Sequence, residues 1–263
     1  MDVRLTYIGG TVAAAVMGAS EWSDPAAELY IALGRYAGLI EPPDLTHNRD
    51  VMRGVAMEPL IVDLIRSELD PSCRPYNELV YHPEIPAAGG HPDAIGDEWV
   101  YEIKAPREPA PLKPEYFWQA VHYAGILWRL GMLPKPAARV VQLDYTNWRL
   151  AVSEFDDLTD KVEELESRLK PFCEAFQRGK ELIDAGQIKT LEQIFEYVKG
   201  SIDMPPETEF VSPDVSEMMD RAARLRAVRR AVDNEIRAIN NVIKPYQYGK
   251  RVSTKAYGRT FVI

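Results

Sequence analysis

GHPDAIGDEWVYEIKAP, residues 90–106, places Asp93 nine positions before Glu102 and sets Lys104 two positions after that glutamate. Residues two apart in a strand point to the same face, so Glu102 and Lys104 share one side of a strand read from Glu98 to Lys104. Their neighbours Val100, Tyr101, Ile103 and Ala105 are apolar or aromatic, which makes that strand largely interior. A charged pair facing an interior has to be matched by other polar groups. Asp93 ends a preceding strand, residues 90–95, joined through a Gly96-Asp97 turn, and can reach the same point, its approach stiffened by Pro92. Two carboxylates with backbone oxygen form the hard-oxygen environment that Mg²⁺ favours, and a lysine beside them suits the charge that develops at a phosphate. An isolated Glu-x-Lys would read instead as a partly buried ion pair.

The rest of the chain bounds the setting. Its 263 residues accommodate one generous α/β domain or a core with an appended subdomain. The composition is that of a globular protein, 46% hydrophobic and 27% charged, without an apolar run of membrane-span length and without a signal-peptide layout at the N-terminus. A cytoplasmic protein with no membrane partner is expected, located in a bacterial host cell if the resemblance described below holds. Cys73 and Cys173 stand a hundred residues apart without Cys or His companions, which argues against a disulfide framework or a zinc site. The net charge of −9 argues against nucleic acid as a partner until its distribution is considered. Residues 221–259 hold eleven Arg and Lys against Asp233 and Glu235, a local charge of +9. Such a run is either a solvated helix face or a phosphate-facing surface.

Pattern and punctuation predict helices over 24–36, 49–68 and 114–131, with Asp24 as an N-cap and Pro25 and Pro114 at first helical positions. Strands are predicted over 77–82, 90–95, 98–104, 139–144 and 148–153. From about residue 155 a helical period takes over, with helices near 158–178, 191–199 and 215–243, and a small hairpin closes the chain around Tyr257-Gly258. The expected organisation is an α/β core over residues 1–155 and, over 156–263, a helical extension carrying the basic long helix and the hairpin.

GHPD followed by EIK resembles the PD-(D/E)xK nuclease signature. Three further segments stand in the order of one subgroup, the YqaJ-like or lambda-exonuclease-like viral recombination nucleases. RLTYIGGT (residues 4–11) resembles its N-terminal segment, MRGVAMEP (52–59) its G-x-x-x-E helix motif, and QAVHY (119–123) its Q-x-x-x-Y helix motif, which is also similar to that of RecB-type nucleases. Each segment alone is weak, whereas the ordered set spans residues 4–148 with its flanking strands.

The resemblance implies a restriction-endonuclease-like fold, a mixed sheet flanked by helices, and a Mg²⁺-dependent 5′-to-3′ exonuclease on linear double-stranded DNA, with Mn²⁺ as a substitute. Its product would be 3′ single-stranded DNA for phage-type homologous recombination. It assigns Glu58, Asp93, Glu102 and the Ile103 carbonyl to the metal and Lys104 to the nucleophile. Gln119 would hold a phosphate, Tyr123 would pack near the centre, and Arg4 and Thr11 would form a 5′-phosphate pocket. His91 stands where relatives carry a small residue before Pro-Asp, and it suits phosphate as a donor. The resemblance further implies double-stranded DNA ends as substrate, a homo-oligomeric ring and a single-strand annealing protein as partner. The residues themselves add that Glu58 falls in register with Val51, Val55, Val62 and Ile65, a core-facing helical stripe on which an acid needs a reason. Pro59 offers the other account, a helix break. Gln119 and Tyr123 share a face with Tyr116, Leu127 and Leu130, an aromatic stripe of the kind that also builds cores. Glu84 lies between Pro83 and Pro86 and reads as a loop acid, with assistance to a second metal as the alternative. Two other functions fit the same residues: a different PD-(D/E)xK activity, endonucleolytic or on single strands, and a catalytically inactive DNA-binding protein using the basic segment.

Overall fold

The computed structural model describes residues 7–20, 23–106, 111–145, 147–202, 253–256 and 259–262. The chain divides into two compact units, Met1–Pro205 and Pro206–Ile263. In the first, α1 (Gly10–Val16), α2 (Pro25–Tyr36) and α3 (Arg49–Glu68) precede the short strands β1 (Arg74–Pro75), β2 (Val80–Tyr81), β3 (Gly89–Gly90) and β4 (Ala94–Ile95). Then come β5 (Val100–Lys104), α4 (Pro114–Arg129), β6 (Ala138–Asp144), β7 (Arg149–Phe155), α5 (Thr159–Asp184) and α6 (Leu191–Ser201). Of the second unit, β8 (Ser253–Ala256) and β9 (Arg259–Val262) form an antiparallel hairpin where one is expected.

The central sheet has the order β1-β4-β5-β6-β7. The β5–β6 pair is parallel, as a connection through α4 demands, and the other neighbours are antiparallel. This is the mixed sheet with flanking helices that the sequence predicts. On one face, Ile61, Val62 and Ile65 of α3 pack on Tyr101, Val141 and Leu143, each side chain essentially inaccessible to water. Each fully buried side chain of this kind contributes about 1.5–3 kcal/mol. α4 packs against β5 and β6 and against α1 and α5. Local signals place the helices: the Asp24 carboxylate accepts the Ala27 N–H at 2.8 Å to cap α2, and Thr190 with Gln193 forms a capping box for α6. Among the described residues no helix is long and apolar enough to cross a membrane.

Several expectations change. The predicted strand 90–95 is two strands in two sheets: Gly89–Gly90 pairs with Val80–Tyr81, and Ala94–Ile95 pairs with β5. Pro92, which has no N–H to give a ladder, falls in the break. The Gly96-Asp97 turn is a four-residue connection, because Glu98 and Trp99 lie outside β5. α1 was not expected; apart from Thr11 its sequence GTVAAAV is apolar, it is buried from Ala13 to Val16, and seven residues are too few to show an amphipathic period. α5 and α6 belong to the first unit, so the division falls at 205/206 rather than 155/156. The reason is packing: Val162, Leu165, Leu169, Phe172 and Phe176 of α5 are buried, and α2 packs on both helices. The predicted helix 215–243 and the basic side chains of 221–259 lie outside the described residues.

Candidate active site

β4 and β5 build the centre. Their register pairs Ala94 with Tyr101 and Ile95 with Val100, so the next step along both chains sets Asp93 opposite Glu102. Tyr101 joins the core under α3, and the alternation turns Glu102 and Lys104 toward α4. The Lys104 Nζ lies 2.5 Å from Glu102 Oε1 and donates to Gln119 Oε1 of α4 at 2.9 Å. It also stands 4.9 Å above the Tyr116 ring. Gln119 in turn donates to Glu115 at 3.4 Å. Asp93 accepts the Ile103 N–H at 2.7 Å, a backbone donor that the short β4 leaves without a ladder partner on that side.

The electrostatics record a surplus of negative charge. Burial pushes the Asp93 carboxyl well above its usual range, and the repulsion of Glu102 and Glu58 adds to it, against the pull of Lys104. Glu58 is raised by burial and by Glu102. Burial opposes the charge on Lys104, yet Glu102 and Asp93 outweigh it and raise its pKa. Glu102 is 4% exposed, and its Oε2 is buried without a hydrogen-bond partner.

These features bear on whether a divalent cation fits. Among the described residues no three His, Cys, Asp or Glu side chains close around a common point, since Glu102 Oε1 turns to Lys104 and Asp93 Oδ2 to a backbone N–H. The donor chemistry nevertheless suits a hard cation: three mutually repelling carboxylates, one with an orphaned buried oxygen, are what a Mg²⁺-sized charge relieves.

Asp93, Glu102, Lys104 and Gln119 thus meet directly, and Glu58 comes within electrostatic reach of them. The stripe proposed for Glu58 holds only on its C-terminal side: Val62 and Ile65 are buried, whereas Val51 and Val55 are 40% and 67% exposed, because no described element covers the first half of α3. Pro59 is accommodated inside the helix. On α4 the shared face includes buried Leu127, but Leu130 is exposed. Tyr123 is buried, and its hydroxyl accepts the Gly10 N–H. A Cβ on Gly10 would stand 3.2 Å from the Tyr123 ring, and one on Gly90, where φ is +149°, would stand 2.8 Å from its hydroxyl, so both positions admit the ring by lacking a side chain. Thr11 is exposed in the first turn of α1, and Arg4 lies outside the described residues. His91 is exposed, with Nδ1 3.3 Å from the Asn77 carbonyl; a carbonyl only accepts, so Nδ1 carries the proton. Glu84 is away from the centre, in the exposed loop after His82.

A cleft of about 430 Å³ opens beside the acids, lined by Tyr7, Glu58, Tyr76, Asn77, His91, Pro92, Asp93 and Tyr123. Sequence reading did not single out Tyr7, Tyr76 or Asn77. Tyr7 lies inside the quoted N-terminal segment, but Tyr76 and Asn77 reach the cleft only through long-range bonds, the Tyr76 N–H to the Asp93 carbonyl and the Asn77 carbonyl to His91.

Comparison with known proteins bears on the fold and on the first half of the chain. Residues 1–126 match the model of the YqaJ-like viral recombinase domain. Among solved structures, the chain is similar to an alkaline exonuclease (LHK-Exo) from Laribacter hongkongensis, at 19% identity over 70% of this chain and 94% of that one, with a TM-score of 0.55. The same exonuclease in complex with dAMP gives a TM-score of 0.52 over the same shares, at the same identity. No curated protein sequence matches. The likeness in structure shows a shared restriction-endonuclease-like fold. The family match ends three residues beyond Tyr123 and so takes in every residue of the centre; over residues 1–126 the chain is similar to the YqaJ-like viral recombinase domain.

Proposed function

We propose that the chain is a metal-dependent deoxyribonuclease of recombination, a Mg²⁺-dependent exonuclease that degrades linear double-stranded DNA from 5′ to 3′ and leaves 3′ single strands. The observation that carries this reading is the buried Asp93–Glu102–Lys104 group, whose unpartnered Glu102 oxygen sits in an excess of negative charge. Glu58, Asp93, Glu102 and the Ile103 carbonyl would hold the cation, and Mn²⁺ would substitute for Mg²⁺. When bound, the ion neutralises phosphate charge and acidifies water. The protein's own groups do the rest. Lys104, fixed between Glu102 and Gln119, presents its ammonium to the water and to the non-bridging oxygens where charge develops. Water attacks phosphorus in line, the bond to the 3′ oxygen breaks, and a 5′-mononucleotide leaves while a new 5′-phosphate is exposed. Gln119 orients Lys104 and a phosphate, and Tyr123 walls the centre. His91, Thr11 and Arg4 form the phosphate-end contacts. The protein acts on DNA ends, as a ring of identical subunits with a single-strand annealing protein as partner.

The test is digestion of linear duplexes with 5′-phosphate or 5′-hydroxyl ends, labelled on either strand, in Mg²⁺ or EDTA. Mg²⁺-dependent release of the 5′ label as mononucleotide, faster from the phosphate and slowed about 10²–10³-fold in Lys104→Ala, is the expected result. Cuts within a closed circle, or binding without cleavage in any metal, would refute it.

A further inference from the structure

Trp148 stands apart from the other described tryptophans. Trp99 has the guanidinium carbon of Arg139 4.1 Å from its ring centroid, Trp128 has that of Arg129 at 4.3 Å, and Trp118 meets Phe117 edge to face at 5.2 Å. Trp148 is 59% exposed, and among the described residues no ring, cation or hydrogen-bond partner stands against it. Its backbone is equally out of keeping, with φ at +51°. In that left-handed region a side chain crowds the neighbouring carbonyl, and glycine or asparagine serves best. An asparagine stands one position away, at 147. Packing therefore gives no reason for a large ring on this backbone.

The register of the sheet sets this residue near the centre. β5 and β6 run parallel with Lys104 opposite Gln142, and β6 continues to Asp144, which pairs with Arg149 of β7. At about 3.3 Å per residue, the hairpin tip that carries Trp148 lies about 10 Å past Lys104 along the strands, or about three nucleotide steps. Two bonds and a packed ring hold the tip. Asn147 donates to Asp144 Oδ1 at 3.3 Å through its backbone N–H and to Oδ2 at 2.7 Å through its side chain, and Tyr145 packs against the core cluster that includes Leu143. Arg149, the next residue, is exposed and has no acid paired with it among the described residues.

We infer that Trp148 is a stacking contact for the unpaired strand that digestion leaves, with Arg149 for its phosphates. The inference rests on the nuclease reading of the buried carboxylates. In a duplex the bases stack on one another and show only their edges in the grooves, so an indole face meets a base where a strand is unpaired. Gripping a duplex from outside calls for several Lys and Arg, whereas this tip offers one arginine beside Asp144. Every base has a π-face, so such a contact accepts a strand of any sequence. It would hold the spared strand away from the acids while the other strand is cut.

The experiment measures affinity of the full chain for a blunt duplex, for the same duplex with a 3′ single-stranded tail, and for one whose tail is abasic, with EDTA present so that nothing is cleaved. The preference of wild type for the tailed over the blunt duplex should fall about 5- to 150-fold in Trp148→Ala, with blunt-end binding unchanged. Trp148→Phe should keep most of it, and wild type on the abasic tail should show the loss that Trp148→Ala shows on the normal one. Trp148→Gly should lose the same preference without lowering the thermal midpoint, since glycine accepts the φ of +51°; a ring needed for packing would lower it. A preference that Trp148→Ala leaves intact, or that the abasic tail retains, overturns the inference. So does a loss that sedimentation velocity traces to dissociation of an oligomer. Failure of the nuclease reading is separable: a Trp148-dependent tail preference without cleavage in Mg²⁺ or Mn²⁺ removes the reaction and leaves the strand contact, whereas cleavage without that preference does the reverse.

Discussion

Glu102 gives one oxygen to Lys104 and keeps the other in a dry place with no donor, next to two more acids. Such a residue is poorly served by the fold itself, and that shapes what substitutions there should do. Lys104→Ala should lower kcat by about 10²–10³, the usual effect of losing one preorganised donor at developing charge. Steady-state digestion with circular dichroism as a folding control checks it. Asp93→Asn should abolish cleavage and yet raise the thermal midpoint in EDTA, because it removes a buried charge that Glu102 and Glu58 repel. The expected rise is about 2–4 °C per kcal/mol relieved. A midpoint that falls would mean that the hydrogen bond to the Ile103 N–H outweighs the repulsion.

At the scale of elements, the centre depends on close approach between α4 and the segments that start α1 and form β3. Gly90→Ala would set a methyl at 2.8 Å from the Tyr123 hydroxyl on a backbone with φ of +149°. It should cost about 2–4 kcal/mol and much of the activity. Gly54→Ala is the contrast: inside α3, with nothing within 4 Å of the added carbon, it should stabilise by about 0.5–1 kcal/mol. Urea denaturation of the two variants checks both signs. The same scale explains what the sequence made legible. Glu102 and Lys104 could be placed on one face because the strand period is local, and Asp24 could be read as a cap because its partner is three residues away. Val51 and Val55 could not be read as exposed, since their periodicity with Ile65 says nothing about where the covering element stops. The division of 90–95 between two sheets was hidden because its two ends pair in opposite directions along the chain, Gly90 back to Val80 and Ala94 forward to Tyr101, and an alternating pattern does not say where one strand stops and the next begins. Tyr76 escaped because its link to Asp93 spans seventeen residues and leaves no trace in local pattern.

For the whole molecule, one buried and one half-buried group bear on how the fold meets acid. His122 is 2% exposed, its Nε2 3.1 Å from the Gly89 carbonyl, and burial pushes its pKa down to about 4 from 6.5. The neutral ring is the one the fold accepts. Stability from this site is complete above pH 6.5 and is lost as pH falls from 6.5 to 4, by about 3 kcal/mol at 1.36 kcal/mol per unit. Burial also works against the charge of Glu166, but hydrogen bonds from His82 and Arg129 hold its pKa at about 2. Its contribution is present above about 4.5 and fades toward 2. Asp93 acts in the opposite sense, so the comparison that isolates the histidine is between variants: thermal midpoints of His122→Gln should vary less between pH 6.5 and 4 than those of wild type.

The parallel pairing of β5 with β6 has a consequence for dissection. Residues 1–126 contain the whole centre, yet they stop inside α4 and before Ala138, where β6 begins. A fragment cut there would turn β5 into an edge strand, with Val100–Lys104 offering the backbone groups that β6 pairs in the intact chain. Such an edge templates self-association. The stretch that carries the chemistry would precipitate before it could catalyse, so the stretch that sequence comparison delimits is smaller than the unit that can be expressed.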